Sequence, residues 1–515
     1  MPFVIWRNRT TTWFAVVLMV AGASAATVAD YGAKADGTLQ SEAFQRAIDE
    51  TSARGGGTLV VPPGRYLVAG LFLKDGVTLR LEEGATLVAS TNISDYVSFR
   101  SKMPADYDET TEYRTTHSSG SRPSLLHAVV GAIGARNVAI EGKGTIDGRG
   151  YVHRKKPKDP RRWRDVLFYR CRDIRVEDVR LRNSALWTCY FKECENVVVR
   201  GVDIWSQSYW ENDGIDIEAR NVLVENCTVD TLDDGICLKN DFFGFTVENV
   251  EVRNCRVASC CNFIKFGTTC FGGYRNCRIH DCVLVPCRES PLYAHHLRGG
   301  PQRKGFPGVT APITGLAGIS VEAPDGGRVS DIRIWNIDMT SGCVQTPIFI
   351  RLERRELHPD GRPGSLEDIL IENVTCVNAG WIASSITGVP GLRVRNVTLR
   401  NIDITTKPGA ARELFSKPVP ECERAYPTPN MFKFHVLPAS GFYLRHADGI
   451  RFENVRIRSA PGVELRPPIV ADDCTDVTCE NAPLPVAGIP STREAGLVRL
   501  GEGLLTMCST RVGMV

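Results

Sequence analysis

Along most of the chain, apolar and charged residues alternate in short runs that end in Asn or Asp. The template is clearest in Arg172-Asp-Ile-Arg-Val-Glu-Asp-Val, Arg220-Asn-Val-Leu-Val-Glu-Asn-Cys, Glu248-Asn-Val-Glu-Val-Arg-Asn-Cys and Glu367-Asp-Ile-Leu-Ile-Glu-Asn-Val. Further copies begin at Arg136, Glu195, Ser330, Gly391, Asp448 and Thr475. A period of two is that of a strand with one face buried. Asn and Asp close each run because a short polar side chain can bond its own backbone and turn the chain. The well-aligned copies return at roughly 23 to 28 residues, inside the range of solenoid repeats. Short strands and turns at that spacing predict an all-β fold, a right-handed parallel β-helix. A leucine-rich horseshoe requires Leu at fixed sites, whereas these positions are mostly Val and Ile, and a propeller needs a longer period. The wider gaps, 282 to 330 and 404 to 448, read as insertions looping out of the stack.

Ahead of the strands, Phe44, Ala47 and Ile48 fall at helical spacing behind Ser41 as a cap. They predict a short helix covering the open end of the solenoid. Residues 26–485 then read as one β-helix domain, and 486–515 as a tail without repeats and without a readable role. Residues 1–25 have the form of a secretory signal: Arg7 and Arg9, an apolar core from Trp13 to Ala21, and a small-residue cleavage site at Ala23-Ser24-Ala25. The apolar core is too short to span a bilayer, so the expectation is a secreted protein, extracellular or periplasmic, cut near Ala25.

Charge adds little, because 62 basic residues face 59 acidic ones. No nucleic-acid or membrane partner is implied, and affinity for an acidic polymer has to come from local clusters. One such cluster, the basic run from His153 to Arg164 around Trp163, reads first as a solvated loop and second as a polymer contact. The 18 cysteines of an exported chain raise the question of disulfides. Cys227, Cys255 and Cys277 each follow an Asn at what reads as the same point of successive repeats. A column of buried thiols is the first expectation, and stacked rungs leave pairing open.

The chemistry concentrates between Trp205 and Asp241. Asp213/Asp216 and Asp233/Asp234 are two acidic clusters, each followed by an apolar run, and they are separated by roughly one repeat. Rungs about 4.8 Å apart would gather these carboxylates into one patch. Clustered carboxylates repel, and a fold tolerates that for acid/base chemistry or cation binding.

With these features in place, the chain resembles the pectin-degrading polygalacturonase family, glycoside hydrolase family 28. The resemblance rests on Asp30-Tyr-Gly-Ala33, Gly144-Thr-Ile-Asp-Gly148, Asn183-Ser-Ala-Leu-Trp187, Asn212-Asp-Gly-Ile-Asp216 and Asp233-Asp-Gly-Ile-Cys237. Ile264-Lys-Phe-Gly-Thr268, Pro347-Ile-Phe-Ile-Arg351 and Ser385-Ile-Thr-Gly-Val-Pro-Gly391 are similar to its bacterial branch. The resemblance implies an inverting hydrolase of pectic polysaccharides without a metal or other cofactor, acting on an acidic glycan, and a solenoid with a capped end is expected to be a monomer. Asp233 would be the general acid, with Asp213 and Asp234 holding the water. Asp216 would order the turn.

Two family motifs are missing. Cys260-Cys-Asn-Phe-Ile-Lys-Phe-Gly267 stands where Gly-His-Gly is expected, and the Arg-Ile-Lys triplet that holds a uronate is absent. Lys265 and Arg351 are the candidate replacements for the cations, and His295 and His296 for the histidine. Two other classes fit the same residues. One is a Ca²⁺-dependent lyase using Asp213, Asp216, Asp233 and Asp234 as hard oxygen ligands. The other is a solenoid that binds glycans without cleaving them.

Overall fold

The repeats stack into coils whose neighbouring strands are parallel from Ala26–Thr27 to Val486–Ala487. The computed structural model describes residues 25–103, 127–155, 162–209, 211–288, 315–378, 380–432 and 436–487. His295 and His296, the signal segment up to residue 24 and the tail from residue 488 lie outside them. The architecture is the expected right-handed parallel β-helix. The template copies form one continuous ladder, Arg136, Arg172, Glu195, Arg220, Glu248, Arg275, Ser330, Glu367, Arg395, Asp448 and Thr475 in register. Two copies differ from the sequence expectation. A rung starting at Arg275 lies between Glu248 and Ser330, and the copy placed at Gly391 starts at Arg395. The gap from 282 to 330 also hides a strand of the stack, Gly315–Ala323.

The Asn and Asp positions explain the turns. Asn196, Asn221, Asn249 and Asn276 adopt φ between 51° and 57°, a left-handed conformation that Asn tolerates better than most residues. Their side chains form a ladder, Asn221 donating to Asn196 (3.0 Å), Asn249 to Asn221 (2.9 Å) and Asn276 to Asn249 (2.6 Å). A second ladder climbs another edge through Asp281, Asn336, Asn373, Asn401 and Asn454. Each coil thus has two similar Asx turns, which corrects the cysteine column. Cys277 follows the first turn and stacks on Val250. Cys282 follows the second and continues the line of Cys227 and Cys255, each rung bonded to the next through its backbone.

The first helix, α1 (Ser41–Ala53), buries Ala43, Phe44, Ala47 and Ile48 against the first coils. Ser41 is not its cap. Gln40 occupies that position, and the Ser41 hydroxyl accepts the Ala69 N–H at 2.8 Å.

Six strands carry the site: β1 (Cys189–Arg200), β2 (Ile215–Glu225), β3 (Ile236–Asn240), β4 (Ile264–Cys270), β5 (Gly315–Ala323) and β6 (Arg328–Leu352). Register aligns Ile215, Ile236, Ile264, Ile319 and Ile348 in one core column and Ile217, Leu238, Phe266, Val321 and Ile350 in another. All are buried, at about 1.5–3 kcal/mol per side chain. With these columns fixed inward, alternation turns Asp216, Cys237, Lys265 and Ser320 outward, with Glu218, Lys239, Glu322 and Arg351 beside them.

Candidate active site

Asp213 and Asp234 are equivalent residues of adjacent rungs. The Thr188 N–H donates to the Asp213 carbonyl (2.7 Å), that of Gly214 to Asp234 (2.9 Å) and that of Gly235 to Asn262 (2.8 Å). Glycine follows each Asp because the rungs meet too closely for a side chain: a Cβ on Gly235 would strike Val257 and the Phe263 carbonyl. A carboxylate oxygen of Asp213, one of Asp234 and Cys237 Sγ lie within 4.8 Å of one another, as do those of Asp233 and Asp234 with Cys261 Sγ. Both aspartates of the 233–234 pair lie in the bend before β3, so neither is bound by strand alternation.

Two buried lysines hold this stack. Lys239 Nζ donates to Asp213 Oδ2 at 2.8 Å, lies 3.3 Å from Asp216 Oδ1 and sits 4.5 Å from the centre of the Trp187 ring. Lys265 Nζ donates to Asp234 Oδ2 at 3.0 Å. The Asn262 amide N–H and side-chain Nδ2 both donate to Asp234 Oδ1, at 3.1 and 2.7 Å. Asp234 is buried, which works against its charge, but Lys265, Lys239 and Asn262 outweigh that and lower its pKa. Asp233 is treated differently. It is half-buried, and its carboxylate accepts only the N–H groups of Asp234 (3.0 Å) and Glu211 (3.2 Å) among the bonds seen. Burial, then the charges of Asp213 and Asp234, push its pKa up to about 8. Asp213 is raised as well, by burial, against the pull of Lys239. The patch therefore holds a protonated carboxyl beside an ionised one, the separation that acid/base chemistry requires.

Asp216 does not order a turn. It lies in β2, fully buried on the outward face, and its ion-pair partner among the described residues is Lys239. Burial pushes it far above the carboxylate range. Arg351 also departs from expectation. Its Nε donates to Glu353 (2.7 Å), its Nη1 to Thr387 Oγ1 (3.3 Å) and the Gly388 carbonyl (2.9 Å), and its Nη2 to the Glu421 and Cys422 carbonyls (2.6 and 3.2 Å). Those are all five donors of a guanidinium. None is left for a uronate, and Arg351 instead fastens the 421–422 segment over the sheet. That insertion brings Tyr426, 44% exposed, to 5.8 Å from Lys265, where its hydroxyl accepts a bond from Thr268 (2.7 Å).

The described ends of the basic run are not a solvated loop. Trp163 is buried, stacks on Tyr96 and donates to the Gly148 carbonyl at 2.6 Å, and Arg162 pairs with Glu211. Sequence reasoning missed Lys239, Asn262, Tyr426 and Glu322. Glu322 is a buried acid on the rung after Lys265, hydrogen-bonded by Ser320 at 2.7 Å and raised in pKa by burial. For Lys239 a signal existed: Ile236 and Leu238 point inward, so Lys239 between them and the turn must point out with the acids.

The profile of the family described as rhamnogalacturonase A/epimerase, pectate lyase-like, matches residues 25–260. A probable polygalacturonase of Vitis vinifera is 28% identical over 282 residues, covering 51% of this chain and 55% of the relative. An exo-poly-alpha-D-galacturonosidase of Dickeya chrysanthemi is 30% identical over 261 residues, 41% of each chain. Over these stretches the chain is similar to polygalacturonases. It spans about half the length of the curated family relatives it matches. The polygalacturonase fold is seen again in the family 28 exopolygalacturonase of Yersinia enterocolitica, with a TM-score of 0.63 at 17% identity over 90% of this chain and 80% of the other. A hyperthermoactive exopolygalacturonase of Thermotoga maritima gives 0.56 at 22% identity over 75% and 87%. Asn262 and Lys265 stand on the rung where the resemblance places a histidine in Gly-His-Gly.

Proposed function

We propose that the chain is an inverting glycoside hydrolase that cleaves pectic polysaccharides, with Asp233 as general acid and Asp213 and Asp234 holding the attacking water. The observation that carries this reading is the split within one acidic patch. Asp233, the aspartate with solvent access, stays protonated at neutral pH, while Asp234 beside it is kept ionised by Lys265, Lys239 and Asn262. The Asp233 proton passes to the leaving glycosidic oxygen. Water loses its proton to the Asp213/Asp234 pair and attacks the anomeric carbon from the opposite side, inverting it. Asp234 adjoins the acid in the same bend and Asp213 stands one rung away on a rigid stack, so the geometry costs little reorganisation.

Lys265 has ammonium hydrogens beyond the one given to Asp234, and the exposed Tyr426 ring stands beside it. Together they offer a uronate one ionic and one apolar contact, and they are the proposed determinants of an acidic substrate. Export by the segment before Ala25 belongs to the same reading, as a cell-wall polymer lies outside the cell. Among the described residues no helix is long and apolar enough to cross a membrane.

The test is release of reducing ends from polygalacturonate, rhamnogalacturonan and a neutral polysaccharide by wild type and Asp233→Asn, with and without chelator. The expected result is chelator-resistant release from a pectic polymer, lost in the variant, with product length reporting endo or exo action. Products absorbing in the ultraviolet and suppressed by chelator would overturn hydrolysis in favour of elimination.

A further inference from the structure

No two cysteine sulfurs among the described residues are at bonding distance, and several share one contact. Cys194, Cys227, Cys255 and Cys282 each direct Sγ at the carbonyl two residues earlier, at 3.2 to 3.4 Å. Neighbouring thiols of this column also interact, Cys255 with Cys227 and Cys282, but Cys260 and Cys287 make the direct sulfur–sulfur approach. Their sulfurs face each other at 3.6 Å, 27 residues apart in the chain, with Cys287 Sγ also 3.6 Å from the Thr231 carbonyl.

Register explains the approach. Arg256 pairs with Val283 and Val257 with Leu284, and the Val285 N–H donates to the Val257 carbonyl at 2.8 Å. Continued by three residues, the same offset sets Cys260 opposite Cys287. Parallel neighbours lie about 4.8 Å apart, within the window of about 4.4–6.8 Å between Cα atoms that a disulfide spans. Closing the sulfurs to bonding distance therefore asks for side-chain rotation rather than backbone movement. Cys287 is buried and Cys260 half-buried, both packed with Ala258 and Val285, so Cys260 is the sulfur an external reagent reaches.

We propose that Cys260 and Cys287 are joined by a disulfide that staples the rung beneath the catalytic acids. Cys260 stands two residues before Asn262, the double donor to Asp234, and its own N–H donates to the Thr231 carbonyl at 3.1 Å. Thr231 in turn donates its hydroxyl to the Asp233 carbonyl at 2.8 Å. The bond thus braces the rung that packs against the turn carrying both members of the aspartate pair. It forms by exchange with a small-molecule disulfide. The Cys260 thiolate attacks one sulfur and releases a thiol. The Cys287 thiolate then displaces the second thiol from the mixed disulfide. Two protons and two electrons leave the protein, and one external disulfide becomes two thiols.

The test uses the full chain in a buffer of glutathione and glutathione disulfide, alkylated under denaturing, non-reducing conditions and mapped by peptide mass. The expected result is a peptide carrying Cys260 linked to one carrying Cys287, two hydrogens lighter than their sum. Reduction should also lower the Tm of wild type by a few degrees, and have no such effect on Cys287→Ser or Cys260→Ser. Recovery of both residues as alkylated thiols, or a Cys260–Cys261 link in place of the predicted one, would overturn the proposal. The wild-type peptide map decides this whether or not either variant folds.

Discussion

Two polar stacks run along this solenoid, built by the same repetition and opposite in energetics. In the ladder through Asn196, Asn221, Asn249 and Asn276, the amides of Asn221 and Asn249 each give one hydrogen bond to the rung before and take one from the rung after. The stack is neutral and satisfies itself at the surface. In the acidic stack, Asp213 and Asp234 meet on adjacent rungs as like charges, out of water, and must borrow Lys239, Lys265 and Asn262 to exist. A repeated polar residue that completes its own ladder stabilises the coil. One that does not complete its ladder is left with bonding capacity and a displaced pKa, which chemistry can use.

The largest expected effect comes from the acidic stack. Asp233→Asn removes the transferable proton and should lower kcat by about 10²–10⁴-fold with the fold intact, measured as initial rates beside a circular dichroism melt. An undiminished kcat would remove Asp233 from the mechanism. Farther along the same outward face, the charges are already satisfied, as in the asparagine ladder. Arg351→Met leaves Glu353 buried without its cation and should cost about 3–5 kcal/mol of stability, read from urea unfolding. A raised KM with unchanged stability would restore Arg351 as a substrate contact. Lys265→Met belongs to the acidic stack and should reduce kcat/KM by about 10²-fold, since Asp234 loses the group that most favours its charge. Asn221→Ala should change kcat hardly at all. It forfeits two ladder bonds at about 0.5–1.5 kcal/mol each and a residue suited to φ 55°, which unfolding would report as a modest loss.

How much of this was legible in the sequence follows the reach of each interaction. The coil showed itself because alternation and turn residues act locally, and the acids because Asp-Asp-Gly is hard to explain as a turn alone. Lys239 could have been placed by the same alternation, since Ile236 and Leu238 fix its direction. Arg351 could not. What occupies it is the Glu421–Cys422 segment, some seventy residues later, and no local pattern marks an insertion that folds back over a sheet. The cysteine column was misaligned because both Asx turns of a coil read alike, and only strand register separates Cys277 from Cys282. Ser41 looked like a helix cap by type, yet its hydroxyl serves Ala69 in the neighbouring coil.

The central claim is a protonated Asp233 working beside an ionised Asp234, and the pH dependence of kcat/KM tests it most directly, in wild type and Lys265→Met. For wild type, activity should fall as pH rises through about 8, where Asp233 loses its proton. On the acid side Asp213, raised by burial, should set the limb above the ordinary aspartate range, since Asp234 is held ionised. In Lys265→Met the acid limb should move to higher pH, as Asp213 and Asp234 both lose the charge of Lys265. An alkaline limb absent from wild type, or an acid limb that stays in place when Lys265 is removed, would contradict the account.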